Sequence, residues 1–533
     1  MNRSLTIAAA VAVVLCAAVV VQAGRFDQYT RKYQEPPNPV NLRTASLLGG
    51  PGTEWISAAA VLSDGTVVAG GTALGPVLEV AGSEVTAVLG TDSAEPVGFE
   101  GDDTPRWDAE GGTGFVVWLS PDYQNVARAV RLPWRAGGVT DMVAGEDGAV
   151  YITGKTGETF DSLGEAEDIT PSDSVAEGET WGYVARLNRS GDRIEWIKRF
   201  RDAYKGPRLR MRSDGNLFVE AADFFVLAPD GRVVQAVEGR RTKSWYRAVD
   251  PDDLTLALGY DRNTRTGREP WRQPTLSIVG SDGELRFDLY QWDPKLVGTD
   301  QYRLVSDSSF RRNTMYFADD GTLWAVGWSD GGNTVLERQP RDLDEKVPFG
   351  GLGFSSWGAG VLSLSHIIQL DPETGEVLNK TLWCAFLPNP DRDKPNSARV
   401  NVLQTAADGS VLMAGSSAAG LIQTGDNLLG EGTPGGNYVA ILEEDLSDIR
   451  FSSALPATAE VLLRDNAAGG EKWAIATGVV NGRAMGVFVC GAVAEKGAYT
   501  EPRPAPTRNA VQEDFGGGAT DGYLMIFDLG EAE

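Results

Sequence analysis

The stretch from Ala58 to Gly71, AAAVLSDGTVVAGG, recurs with variations along the whole chain. No other feature constrains the fold as tightly. Aliphatic and β-branched residues flank an Asp-Gly pair, the pattern of two half-buried strands joined by a tight turn. Asp64-Gly65 predicts a type I′ hairpin, which needs a positive φ at both central residues. Gly70 and Gly71 end the second strand.

A second hairpin follows at Phe115, FVVWLSPDYQNVARAVRLP, turning at Pro121-Asp122. One repeat is therefore strands a and b, a variable connector, then strands c and d. The same grammar returns in DMVAGEDGAVYITG at Asp141–Gly154 with GYVARLNRSGDRIEWIKRF at Gly182–Phe200. It returns again from Leu209 and Phe224, from Tyr246 and Leu276, from Thr314 and His366, and from Val402 and Tyr438. The seventh repeat runs from Trp473 and from Asp521, and stops after Leu529-Gly530 with no strand d.

Self-similarity at tens of residues marks a repeat architecture. Four short antiparallel strands per repeat, seven times over, predict an all-β, seven-bladed β-propeller with strand a innermost. Turns near Gly65, Gly148, Gly215, Asp253, Gly321, Gly409 and Gly482 should be equivalent. Asn41–Leu48, NLRTASLL, has no hairpin partner, and the last repeat lacks a strand. Open edges are a liability that proteins cover. Pairing Asn41–Leu48 antiparallel with Tyr523–Phe527, as the outermost strand of the last blade, would close the ring. The a–b and c–d turns should then share one face. The long b–c connectors, Thr72–Thr113, Lys155–Trp181, Trp328–Ser365, Ser416–Asn437 and Gly491–Thr520, should crowd the other. Lys155–Trp181 is strongly acidic, so that face is expected to be acidic.

The blocks AVLSDGTVVAGGT, MVAGEDGAVYITGKT and LQTAADGSVLMAGSS resemble the first half of the bacterial seven-bladed β-propeller repeat, the SBBP repeat. GYVARLNRSGDRIEWIKRF resembles its second half, and GGGATDGYLMIFD its connector and third strand. The resemblance covers most of residues 45–530 and is loosest in repeats three and four. It implies a propeller from an exported bacterial protein. The family has no general catalytic residues, so no site carries over.

Composition bounds the partners. The 533 residues carry a net charge of −26, which argues against nucleic acid and for a basic partner, cation binding or plain solubility. Arg3, the apolar run Leu5–Val21 and Val21-Gln22-Ala23 read as a signal peptide over 1–23, directing the protein to the periplasm, cell envelope or exterior. An uncleaved anchor is the alternative. Residues 24–40, ending in QEPPNPV, read as a linker before a single propeller domain over 41–530. The mature chain is expected to have no membrane span. Export permits a disulfide between Cys384 and Cys490, but their separation favours two buried free thiols.

Catalytic signals are sparse. The one histidine, His366, excludes multi-histidine metal sites and lies inside a strand. No G-x-S-x-G elbow accompanies it. Gly350–Gly353 lacks P-loop spacing. Asp371–Gly375 with Trp383 resembles one pyrroloquinoline-quinone propeller motif, and Asp319–Trp324 resembles one sialidase Asp-box with Phe317 in place of Ser or Thr. Each occurs once and reads as a hairpin with an aromatic packing residue. Oxygen donors cluster at Asn389–Asn396 and at Asp102, Asp103, Asp108 and Glu110, where calcium is the one metal to consider. Trp55, Trp245 and Trp473 precede a strands, as blade packing or as sugar-stacking surfaces. No catalytic, cofactor or metal residue is assigned, and no cofactor is expected. The sequence reads as an exported non-catalytic scaffold or binding protein for a protein or glycan partner. The alternative is a propeller enzyme acting on glycans, or a quinone-dependent dehydrogenase.

Overall fold

The computed structural model describes residues 35–532, apart from 75–78, 88–112, 133–137, 157–166, 170–179, 203–206, 238–245, 303–306, 355–362, 388–393, 425–434, 456–472, 494–504 and a few shorter gaps. Among the described residues, the main strands form seven antiparallel sheets, each built on four strands. Blade 1 orders Thr53–Val61, Val67–Leu74, Thr113–Leu119 and Val126–Arg131 from a to d. The next five blades follow the same order along the chain. The protein is a seven-bladed β-propeller.

Each blade buries both faces, so its central strands are apolar almost without a break. All seven residues of Gly436–Leu442, strand c of blade 6, are buried. Apolar clusters fill the space between neighbouring blades. Ala58, Val68 and Trp118 of blade 1 meet Met142, Ile152 and Tyr183 of blade 2. Leu48, Phe115 and Val67 meet Val487 and Leu524 where the last blade meets the first.

The ring closes as the sequence predicts. Asn41–Leu48 pairs antiparallel with Thr520–Glu531, Leu42 opposite Phe527 and Leu47 opposite Tyr523. The last blade therefore takes its strand d from the N-terminal side of the chain. A segment of the final connector covers the outer edge of that strand: Ala45 and Arg508 exchange both backbone hydrogen bonds at 2.9 Å.

Three expectations need correction. The Asp64-Gly65 turn is not type I′, because only Gly65 has a positive φ, at 91°. The Gly65 amide donates to Leu62 O, and Leu62 N to Thr66 O, giving a three-residue loop of type I plus a left-handed glycine. Among the described a–b turns, Asn481-Gly482 is the one with two successive positive φ values, 51° and 76°. Strand a of blade 5 is split into Ser308–Phe310 and Tyr316–Phe317, and its first half carries no apolar alternation to announce it. In blade 4 strands b and c, Leu256–Thr266 and Glu269–Val279, pair over their full length, so residues before Leu276 form a β-arm. The connectors also contribute structure: Thr86–Ala87 and Glu167–Asp168 add short parallel strands to the outer edges of blades 1 and 2.

Cys384 and Cys490 are buried and free. Burial pushes both thiols above their ordinary pKa. Residues 1–34, including the expected signal peptide, lie outside the described residues, as do most of the acidic stretch 157–179 and the oxygen-rich loop 102–110. No helix among the described residues is long and apolar enough to cross a membrane.

Candidate functional site

The seven inner strands enclose a central channel with a cavity of about 460 Å³. Every blade contributes, with Ser57, Asp141, Arg210, Val249, Tyr316, Gln404 and Thr477 all on its wall. The propeller topology makes this inevitable, since strand a is the narrow end of each blade. Strand a starts on the connector face, so its first residues set the mouth there. Those residues include Trp55, Asp141, Arg208 and Trp473.

The charges on the wall are tied to neighbours. Asp141 Oδ2 accepts the Leu209 amide of the next blade at 2.8 Å, and Oδ1 accepts the Met142 amide at 2.9 Å. Glu220 Oε1 accepts from Arg247 Nε at 2.9 Å, and that guanidinium lies 5.0 Å from the Phe224 ring centroid. Arg210 crosses from blade 3 to blade 5, with its guanidinium 5.4 Å from the Tyr316 ring centroid and 3.8 Å from Asp319. Burial raises the Tyr316 phenol pKa. The wall therefore offers aromatic faces and paired charges.

The sequence candidates fall elsewhere. His366 is wholly buried, with Nε2 2.8 Å from Ser329 Oγ. Burial, and then the Lys380 charge, hold the imidazole pKa well below its usual value. Ser329 is equally buried, so no substrate reaches the pair. Asp320 of the Asp-box echo accepts the Thr322 amide at 2.9 Å, and Trp324 packs in the core between blades 5 and 6. Asp371 does the same turn work for Glu373 at 2.7 Å, and Trp383 packs against Tyr438 with centroids 5.8 Å apart. Trp473 is buried in the cluster between blades 6 and 7, whereas Trp55 is half-buried on the channel wall. Trp245 and residues 388–393 lie outside the described residues. Among the described residues, no group of three or more potential metal ligands comes together.

Sequence reasoning missed two residues. Glu54 and Asp521 are buried carboxylates at the ring closure, on the connector face beside Trp55. Burial, with the Asp521 charge adding to it, pushes Glu54 up to about 7 against the Gly50 amide that holds it down. Burial likewise pushes Asp521 up to about 6. Their only sequence signal is the glycine around them, Gly49-Gly50 and Gly516–Gly518.

Comparison with known protein families finds no matching family model, and comparison with curated proteins finds no match. Among solved structures, the Dos1 propeller aligns over 92% of this chain and 95% of its own, at 8% identity and a TM-score of 0.36. A protein of unknown function from Dyadobacter fermentans aligns over 93% and 99%, at 10% identity and a TM-score of 0.35. A polysaccharide lyase, an ulvan lyase, aligns over 83% and 92%, at 8% identity and a TM-score of 0.32. Likeness this distant carries no functional argument. The propeller assignment stands on the strand pairing itself.

Proposed function

We propose that this protein is an exported, non-catalytic β-propeller that serves as a scaffold or binding protein. It takes a protein or glycan partner on the face where the b–c connectors emerge. The observation that supports this most is the channel mouth. Half-buried Trp55 stands there with Asp141, Arg208 and the Glu220–Arg247 pair, on the side from which variable loops leave a rigid ring. Loops on a rigid scaffold are the usual seat of binding. The N-terminal charge, apolar run and Ala23 cleavage position support export, and the repeat resemblance supports a bacterial envelope setting.

The test is a glycan array and a panel of metal ions, calcium included, on the chain beginning at Gly24. A bound ligand should lose affinity in Trp55→Ala and in variants with shortened connectors, while thermal unfolding stays unchanged. Binding that survives both changes would remove the function from this face. Turnover of a bound glycan, or of a quinone-linked dye, would establish the enzyme reading instead. Mass spectrometry of exported protein should show Gly24 as the first residue. A chain retaining Leu5–Val21 would be membrane-anchored.

A further inference from the structure

The ring closes at a corner where four segments meet: the end of Asn41–Leu48, the link 49–52, the start of strand a in blade 1, and the start of strand c in blade 7. Two carboxylates are shut into it, Glu54 at 2% exposure and Asp521 at 0%. Among the described residues neither is ion-paired with an arginine or lysine, although Asp528 at the far end of the same strand has two arginines. Glu54 Oε2 accepts the Gly50 amide at 3.1 Å. Asp521 Oδ2 accepts the Gly516 amide at 2.7 Å and Gln512 Nε2 at 3.0 Å. Asp521 Oδ1 is buried with no hydrogen-bond partner. It faces Gly49, where a Cβ would lie 2.2 Å from it.

Among the described residues, the titratable groups nearest this corner are acidic, and the basic Arg508 lies farther along, beside Ala45 at mid-strand. Glu79, whose carbonyl lies against Gly50, stands opposite Glu84 in a short hairpin. Glu513 and Asp514 follow Gln512 on the final connector, and all four are exposed. Buried carboxylates without counter-charge cost free energy when ionised and little when neutral. A cation is the less favoured occupant. Calcium wants six to eight oxygens, whereas N–H groups of Gly50, Gly516 and Gln512 already point at these carboxylates.

We propose that Glu54 and Asp521 form a proton-operated latch on the ring. Proton uptake closes the seam most tightly, and proton release loosens Asn41–Leu48 and the channel wall beside Trp55. The direction of titration agrees. The closed-state values near 7 and 6 lie above the ordinary 4.5 and 3.8, so closure binds protons that opening releases. The latch is strongest below the ordinary carboxyl values and is lost as pH rises through 6 and 7.

Amide hydrogen exchange on the full mature chain tests this, with rates corrected for intrinsic exchange at about pH 8 and about pH 5.5. The opening constant of Asn41–Leu48 should fall severalfold on acidification, up to about tenfold per pH unit for each carboxyl that gains its proton. Asp250, raised by burial, sits in blade 4, and Lys380, lowered by burial to about 7, sits in blade 5. Glu443 of blade 6, also raised by burial, hydrogen-bonds Asn38 just ahead of the closing strand, so Glu443→Gln is the control that should keep the pH effect. Glu54→Gln and Asp521→Asn should each shrink the pH effect, and the double variant should abolish it. Equal wild-type protection at both pH values overturns the latch, even if a variant fails to fold. Undiminished pH dependence in the variants also overturns it. Calcium that closes the wild-type seam at about pH 8 but not the variant seam would make this a cation site instead.

Discussion

The residue that sets the geometry of most hairpins here is a left-handed glycine, with Leu254, Tyr123 and Leu446 taking that place in three others, and the aspartate before the glycine makes the geometry repeat. Asp64, Asp214, Asp320 and Asp408 each accept the amide two residues on, at 2.9–3.2 Å. The aspartate thereby fastens a type I turn, and the glycine then takes the left-handed step that a Cβ resists. Gly215 has φ 78° and nothing within 4 Å of its missing Cβ. Gly215→Ala should therefore cost only the backbone strain, about 1–2 kcal/mol. Gly420, at φ 96°, would add a clash 1.9 Å from Phe386 O, so Gly420→Ala should cost more. Urea denaturation of the two variants against wild type checks the ranking. A Gly215→Ala change as costly as Gly420→Ala would contradict the strain-only account.

At the scale of the element, the closing strand Asn41–Leu48 has carboxylates of opposite character at its two ends. The Glu54–Asp521 corner prefers protons. At the other end Asp528 prefers none, because Arg483 and Arg43 donate to it, at 2.9 Å from Arg483 Nε and 2.6 Å from Arg43 Nη2. These hydrogen bonds, with the charges behind them, outweigh burial and hold its carboxyl below the ordinary range. A depressed carboxylate stabilises the folded state above its unfolded value and loses that contribution as pH falls through its folded one. Both arginines are about half exposed, so solvent screening keeps each pair weak. Protection of Asn41–Leu48 should thus peak in mild acid and decline again below pH 3.8. Asp528→Asn should erase the acid-side decline and leave the neutral-side one. A variant that keeps the acid-side decline would assign it to other carboxylates.

At the scale of the whole molecule, ring closure makes one cooperative unit of seven similar sheets. Leu42, Leu47 and Leu48 are 3%, 3% and 0% exposed. At about 2 kcal/mol for each buried leucine, the closing strand contributes roughly 6 kcal/mol from these side chains alone. A chain beginning at Glu35 should melt like one beginning at Gly24, and one beginning at Pro51 should lose cooperative unfolding. Equal melting of the two would show that the ring does not depend on this strand. Packing between blades 6 and 7 depends similarly on Trp473, which is 2% exposed. Trp473→Ala should lower stability by about 3–5 kcal/mol in denaturant unfolding, whereas Trp55→Ala should leave it nearly unchanged.

The sequence by itself determined the blade count, the order of strands and the way the ring closes. Those follow from local rules: alternating apolar runs, Asp-Gly punctuation, and one strand missing at the end while one stands spare at the start. Local rules also placed His366 inside a strand and read Trp324 and Trp383 as packing residues, and all three are buried. Only the tertiary structure decided the rest. The Asp-Gly loops gained a third residue because the right-handed twist of the strands accepts a type I turn once a left-handed glycine follows it. Ser308–Phe310 became a strand because the edge of Leu323–Ser329 was there to pair with it. The Glu54–Asp521 corner brings together residues from opposite ends of the chain, and nothing local marks either as buried. A carboxylate's environment is set by what packs on it, and here ring closure supplies that packing.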